Sequence, residues 1–596
     1  MCGFAAVFSY DTNAPPVEAD VLGAINHAMS RRGPDGEGLW LADDKRIGLA
    51  HKRLAIIDLS NDAAQPMMLE SPTGRLHISF NGEIYNFREL RQELEAAGET
   101  FHTFSDTEVL LHLYQRHGRA MVTRLRGMFA FAIWDEQRRG LLLARDGFGI
   151  KPLYYLDDGK TLSAASQVKA LLAGLTAGGR PRPRFDAAGH AGFFLFGNVP
   201  EPHTLYKNIR ALPAGTTLWI DENGPGKPET FFDIATHLAA ANDGDGPVNL
   251  GDLLRNSLKH HFVADVPVGV FLSSGLDSAT LVGLAAELQG AGLDTLTLGF
   301  EEFKGTANDE VPLAETIASA YGARQHTVRV AGSDFANDLD DLLDAMDQPS
   351  IDGVNTYFVA KAAAAEGLKV AISGLGGDEL FAGYDGFSQI PNLVAGIGRV
   401  PGIASFGRLL RGLSSPFSGA LLPPKAPGLL EFSSNFGDAY LLRRALFMPW
   451  ELPSILGNDM AREGIQALDI RHRLNTCQSE INAPKAKVAA LEMCWYMRNQ
   501  LLRDADWAGM AHGLEIRVPF VDTVLFTQLA RAIAAGHGPG KQDMAASPEK
   551  PLPATVLNRP KSGFFVPVRD WLEGGGTKER GLRGWSKRVY QAQISS

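Results

Sequence analysis

The pattern of the chain changes grammar once, near Val248, and that switch constrains the fold more than any other feature. Before it, short runs punctuated by Gly and Pro predict strands at Phe4–Ser9, Ile47–Leu54, Leu76–Asn81, Phe129–Asp135, Gly140–Arg145 and Leu153–Tyr155. Helical spacing is confined to Glu18–Ser30, Phe87–Ala97 and Asp106–His117. That mixture predicts packed antiparallel sheets with helices outside them. After the switch the order becomes strand, loop, helix, strand: Gly269–Leu272, Ala279–Leu288, Thr295–Phe300, Val311–Tyr321, Thr327–Val330, Asn355–Glu366 and Lys369–Ser373. Such alternation specifies a parallel sheet with helices on both faces. Beyond Asp385 the chain reads as mostly helical, with a Gly/Pro-rich loop around Ser414–Gly428. Because 596 residues exceed what one core organises, the expected division is residues 1–210, a connecting segment 211–247, and residues 248–596. Pro- and Gly-bearing segments near Gly197–Gly215 are the expected interdomain connection.

Charge narrows the class of ligand. The net charge of −11 is spread without a basic stripe, which argues against nucleic-acid and anionic-membrane partners and for small molecules. No uninterrupted apolar run is long enough to cross a bilayer, and the start MCGFAAVFSYD lacks the basic region and longer apolar core of a signal peptide, so the expected location is cytoplasmic. The three cysteines, Cys2, Cys477 and Cys494, are too few and scattered for a disulfide framework or a Cys-based metal site.

Cys2 directly follows the initiator Met, whose removal a small second residue generally permits. An N-terminal Cys carries its own base, since the freed α-amine titrates at about 7.7–8.0 and can take the thiol proton. A thiol nucleophile also needs an oxyanion hole and a substrate clamp. Asn81-Gly82-Glu83 follows a predicted strand, where a side-chain amide and a backbone N–H can converge on a developing oxyanion. Arg53 supplies a planar fork for an α-carboxylate, while Glu83 and Asp106 can share an α-amino group. One Arg and two acids match a free amino acid such as glutamine. Singly, each residue is equally well a turn, a helix cap or a surface charge.

A second constellation lies at Val268–Ala279, where an apolar strand runs through Leu272-Ser273-Ser274-Gly275 into a helix. Small residues let backbone N–H groups approach phosphate, the helix N-terminus adds positive potential, and the Ser273 and Ser278 hydroxyls add donors. Asp277 is unsuited to bare phosphate but can hold Mg²⁺ against a pyrophosphate. A further strand-to-glycine loop, Ile372-Ser373-Gly374-Leu375-Gly376-Gly377-Asp378-Glu379, offers Asp378 as a second acid for Mg²⁺. The crevice at the carboxyl ends of such strands is where ligands bind.

The segments MCGFAAV, RRGPDG, HKRLAIID, FNGEIYNF, SDTEVLL and RDGFGIKPLYY occur in the order and approximate spacing of the class II glutamine amidotransferase domain. The two later loops resemble those of pyrophosphate-loop synthetases that make acyl-adenylates. Joined in one chain, and continued by MAHGLEIRVPFVD (Met510–Asp522) and RPKSGF (Arg559–Phe564), they resemble the glutamine-hydrolysing asparagine synthetase family. The resemblance implies an α/β protein: an N-terminal αββα Ntn-type sandwich of antiparallel sheets and a C-terminal doubly wound parallel sheet of the ATP pyrophosphatase type with added helices. It implies Cys2 as nucleophile, Asn81 and Gly82 in the oxyanion hole, and Arg53, Glu83 and Asp106 as glutamine ligands. It further implies Leu272, Leu298, Ser373 and Gly374 against ATP, Lys561 stabilising charge during adenylation, ATP and Mg²⁺ as cofactors, and glutamine and a carboxylate acceptor as substrates. A homodimer is compatible with it.

The pattern departs from the family in places. Arg31 stands where many relatives carry His, and Ser274 replaces a common Gly. Leu375 stands where the bacterial aspartate enzymes carry an acid, and Ser350–Thr356 lacks the Arg that they place nearby. The expected reaction is asparagine formation from aspartate, and the alternative is amidation of another carboxylate, on a surface sugar or secondary metabolite.

Overall fold

The computed structural model describes residues 2–71, 74–240, 249–290, 292–414, 425–559, 566–573 and 581–595. The N-terminal strands are β1 (Gly3–Ser9), β2 (Gly36–Leu41), β3 (Ile47–Arg53), β4 (Met67–Ser71), β5 (Gly74–Ile84), β6 (Gly127–Asp135), β7 (Gly140–Arg145), β8 (Tyr154–Asp157), β9 (Thr161–Ala165), β10 (Ile209–Ala211), β11 (Thr216–Asp221), β12 (Gly224–Pro225) and β13 (Glu229–Thr230). They form two antiparallel sheets, one in the order β10-β8-β9-β1-β3-β2 and one in the order β12-β11-β7-β6-β5-β4, with β13 also on β11.

Every residue of β1 is buried, because the strand is covered on both faces. Phe4, Ala6 and Phe8 point between the sheets, against Ala130, Ala132, Trp134 and Leu143. Ala5 and Val7 join the core that includes Leu22, Ile25 and Met29 of the first helical segment. The alternation that a strand imposes thus feeds two cores, and the layers read helix, sheet, sheet, helix.

One expectation is corrected here. Asn81-Gly82-Glu83 does not follow a strand but lies inside one, since β5 pairs with β6 through Asn81↔Ala130, Gly82↔Phe129 and Glu83↔Met128. The dipeptide that reads as a turn is a strand interior, where Gly82 is required by close approach: a Cβ there would lie 2.1 Å from the Met128 carbonyl oxygen. Within Gly197–Gly215, the segment expected to connect the domains, β10 pairs with β8, and after it β11 pairs with β7.

The second half is built on a parallel sheet of β14 (Val268–Phe271), β15 (Asp294–Phe300), β16 (Arg324–Val330), β17 (Val370–Ile372) and β18 (Glu515–Arg517). Its order, β16-β15-β14-β17-β18, reverses direction between β14 and β17, which is a topological switch point. Helices Leu276–Gln289, Val311–Tyr321 and Val354–Ala365 connect the strands, and further helices follow from Gly386 onward.

Buried ionic contacts cross between the halves. Arg32 clasps Asp506 through both terminal nitrogens at 2.7 and 3.0 Å, and Arg126 clasps Asp522 at 2.8 and 3.0 Å. All four side chains are less than one-tenth exposed.

Candidate active sites

The first site gathers residues that lie up to about a hundred positions apart in sequence. Cys2, Arg53, Gly82, Glu83 and Asp106 line one narrow pocket together with Leu54, Gln65 and Phe80. Asn81 stands beside it, its Oδ1 accepting from the Cys2 backbone N–H at 3.1 Å. The Cys2 carbonyl accepts from Arg32 Nε at 3.0 Å, and its Sγ lies 3.8 Å from the Leu54 carbonyl oxygen. Burial pushes the Cys2 thiol up, so an amine close by is needed to ionise it.

The acids of this pocket are desolvated. Burial, reinforced by the charge of Glu515, lifts Glu83 well above the usual carboxylate range. Burial also lifts Asp106 to about 6, against the backbone N–H of Ile84, which donates to its Oδ2 at 3.0 Å. Ser105 caps the helix Asp106–His117 through the Thr107 N–H and so turns Asp106 inward. Arg53 is oriented by loop carbonyls, donating to Ser60 O at 2.7 Å and to Asp58 O. A carboxylate without water is a receptor for an ammonium group, and an oriented guanidinium is one for a carboxylate.

Sequence reasoning missed Arg517. It lies in β18, wholly buried, with Nε on Glu515 at 2.6 Å and Nη2 3.4 Å from Glu83. Its own carbonyl accepts from Ser373 N at 2.8 Å, so one residue touches the pocket of Cys2 and the loop of the second site. The signal was a charged pair, Glu515 and Arg517, inside the apolar run LEIRVPF.

The second site is a cleft of about 680 Å³ at the switch point. Leu272, Ser273, Ser274, Gly275, Asp277, Ser278, Leu298, Ser373, Gly374 and Asp378 all line it. The first loop is folded on its own hydroxyls: Ser273 N donates to Ser278 Oγ at 3.1 Å and Gly275 N to Ser273 Oγ at 3.2 Å. The second loop closes onto Asp277, since a Cβ at Gly377 would lie 2.8 Å from its carboxyl. Lys541, also missed in the sequence, places Nζ on Asp277 and 2.8 Å from Asp378. Although burial works against it, the two carboxylates hold this ammonium charged. Two acids converging on one cationic point form an oxygen donor set of the kind that suits Mg²⁺. Lys561 lies outside the described residues.

Leu375, Asn355, Thr356 and Val359 form another part of the cleft, and the cations among its described lining residues are Lys485, Lys541 and Arg559. A buried thiol in a narrow polar pocket, joined by buried charge to a second and larger cleft at the switch point, gives the chain the two-site layout expected of an amidotransferase.

Comparison with known proteins agrees. Residues 1–231 match the glutamine amidotransferase domain family and residues 249–589 the asparagine synthase family. The chain is 33% identical over 603 residues to asparagine synthetase (glutamine-hydrolyzing) 1 of Bacillus subtilis, covering 99% of this chain and 90% of that protein. It is 29% identical over 539 residues to asparagine synthetase (glutamine-hydrolyzing) 3 of the same organism, covering 88% and 79%. A protein named amidase chry2, of Gibberella zeae, is 30% identical over 415 residues, covering 65% and 60%. The chain belongs to the glutamine-hydrolysing asparagine synthetase family and is a glutamine-dependent carbon–nitrogen ligase.

Proposed function

We propose that this ligase converts aspartate to asparagine, taking nitrogen from glutamine in the sandwich and energy from ATP in the cleft. The observation that carries the first half is the convergence of Cys2, Arg53, Glu83 and Asp106 on one pocket. After Met1 is removed, the Cys2 nitrogen, already on Asn81 Oδ1, becomes the base that takes the thiol proton. The thiolate attacks the glutamine carboxamide carbon, ammonia leaves with that proton, and water then releases glutamate from the thioester. Asn81 and the Gly82 N–H hold the developing oxyanion.

In the cleft, an acceptor carboxylate oxygen attacks the α-phosphorus of ATP and pyrophosphate departs. Ammonia then adds to the acyl carbon, AMP leaves with the bonding pair, and the surplus proton goes to solvent. Ser273, Ser278 and the N-terminus of the helix at Leu276 hold phosphate oxygens. Asp277 and Asp378 would hold Mg²⁺, which supplies neutralisation of phosphate charge when bound. Lys541 adds positive charge beside the phosphates, and the family resemblance gives Lys561 the role of stabilising charge during adenylation. Dependence on glutamine and ATP supports a cytoplasmic location.

A second acceptor is favoured by one feature. Leu375 gives the cleft an apolar wall, which suits a carboxylate carried on a larger, less charged molecule. Supplying glutamine, MgATP and a panel of carboxylates while measuring glutamate, pyrophosphate and AMP separates the two. Asparagine and AMP formed together from aspartate support the first reading. AMP at background with aspartate, but not with another carboxylate, replaces it by the second.

A further inference from the structure

Apolar side chains on a folded surface are normally scattered, and here they are not. Of the fifteen large hydrophobic residues exposed among the described residues, seven fall between Ile397 and Leu429. The helix Ile403–Ser414 carries most of them. Phe406, Leu409, Leu410 and Leu413 recur at the spacing of one helical face, yet they are 57%, 65%, 43% and 67% exposed. Val400, just before the helix, is 53% exposed.

The arc turned towards the protein is a different one. Gly407 lies on the chain at Leu430–Glu431, where a Cβ would come 2.3 Å from Glu431 N. The apolar stripe of this amphipathic helix therefore faces solvent, reversing the usual arrangement. No single helix among the described residues is long and apolar enough to cross a membrane, and the pair Gly386–Arg399 and Ile403–Leu413 is bent by 96°.

Charge identifies the occupant. From Gly386 to Leu430 the sequence contains no Asp or Glu but has Arg399, Arg408, Arg411 and Lys425, in a chain whose net charge is −11. Buried Glu431 is approached by Arg411 at 2.6 Å and Arg408 at 3.4 Å, while Arg471, 3.7 Å from it, donates to Asp438 at 2.7 Å, so two carboxylates face three guanidiniums and one positive charge is left over. A two-fold contact between copies would set that surplus against itself, because the same patch meets on both sides. An anionic surface meets it favourably, and outward Phe and Leu with Arg on the polar face are the signature of a helix that lies in a lipid interface.

We infer that the helix Ile403–Ser414 is an interfacial anchor that docks the enzyme on a membrane bearing anionic lipid. The whole-chain charge conceals this local reversal, which is why the sequence alone pointed away from membranes. The inference is independent of which carboxylate is amidated.

The test is sedimentation of the full chain with vesicles of phosphatidylcholine, with or without one-third phosphatidylglycerol. Binding to the mixed vesicles that weakens with added salt is expected, together with blue-shifted emission from a Phe406→Trp variant. The double variant Leu409→Glu, Leu413→Glu should reduce binding by about 100-fold, since two leucine side chains no longer enter the interface. Its glutaminase activity should be unchanged, which shows that it is folded. Absence of binding by the parent chain, equal binding to neutral vesicles, or a concentration-dependent dimer abolished by the same variant without vesicle binding would each overturn the inference.

Discussion

Replacing Asp106 by Asn should stabilise the fold at neutral pH while disabling glutamine use. Asp106 is 5% exposed, and its environment raises its pKa from 3.8 to about 6, burial first. The unfolded chain releases this proton near 3.8, whereas the folded chain keeps it to about 6. Stability from this group is therefore highest below about pH 4, falls as pH rises to about 6, and stays low above that. A difference of about two pKa units corresponds to a penalty of about 3 kcal/mol at neutral pH. Asparagine keeps an acceptor for the Ile84 N–H, and the stronger bond of the charged form is already contained in that net difference. The gain is therefore about 3 kcal/mol near pH 7, and it shrinks by about 1 kcal/mol near pH 5. Native-state hydrogen exchange in β5 and β6 measures it without assuming that both halves unfold together. In the same variant kcat/KM for glutamine should fall about 10- to 100-fold through loss of an ammonium partner, with ammonium-driven synthesis intact. Reduced protection at neutral pH, or an unchanged difference between pH 5 and pH 7, would refute the assignment of the shift to burial.

Three further outcomes follow from the same geometry. Cys2→Ala should abolish glutamine-driven amide formation yet keep the ammonium-driven reaction, and equal loss of both would reject two separate sites. Gly82→Ala forces β5 away from the Met128 carbonyl, so glutaminase activity should drop at least about 100-fold while ATP-dependent pyrophosphate release with added ammonium persists. Arg126→Ala strands Asp522, 3% exposed, and should destabilise the chain by about 3–5 kcal/mol in urea titrations. Adding Asp522→Asn to that variant should recover part of the loss, whereas strictly additive losses would exclude the pairing.

The sandwich strands and the alternating half were legible in the sequence because local periodicity sets them. What escaped was decided by partners elsewhere in the chain. Asn81-Gly82 reads as a turn in isolation, and only its pairing with Ala130 and Phe129 makes it strand. Thr216–Asp221 looked like part of a connection because nothing local announces its partner, β7. The residues expected at the two sites came from motifs dense in glycine, hydroxyls and acids, and the described ones stand in or beside two pockets. Arg517 and Lys541 were not, since a single cation carries no spacing signal, and each acquires meaning only from the carboxylates that the fold brings to it. The outward apolar helix was likewise invisible, because periodicity gives a face but not its direction.

The clasps Arg32–Asp506 and Arg126–Asp522 each draw one charge from either half of the chain. A protein engineer wishing to graft a different acceptor-binding half onto this nitrogen donor would therefore inherit an electrostatic lock with two keys. A chimera that matched the loops of the cleft but lacked either of those partners would bury a lone charge at the seam, so exchange of modules is bounded by the joint rather than by either active site.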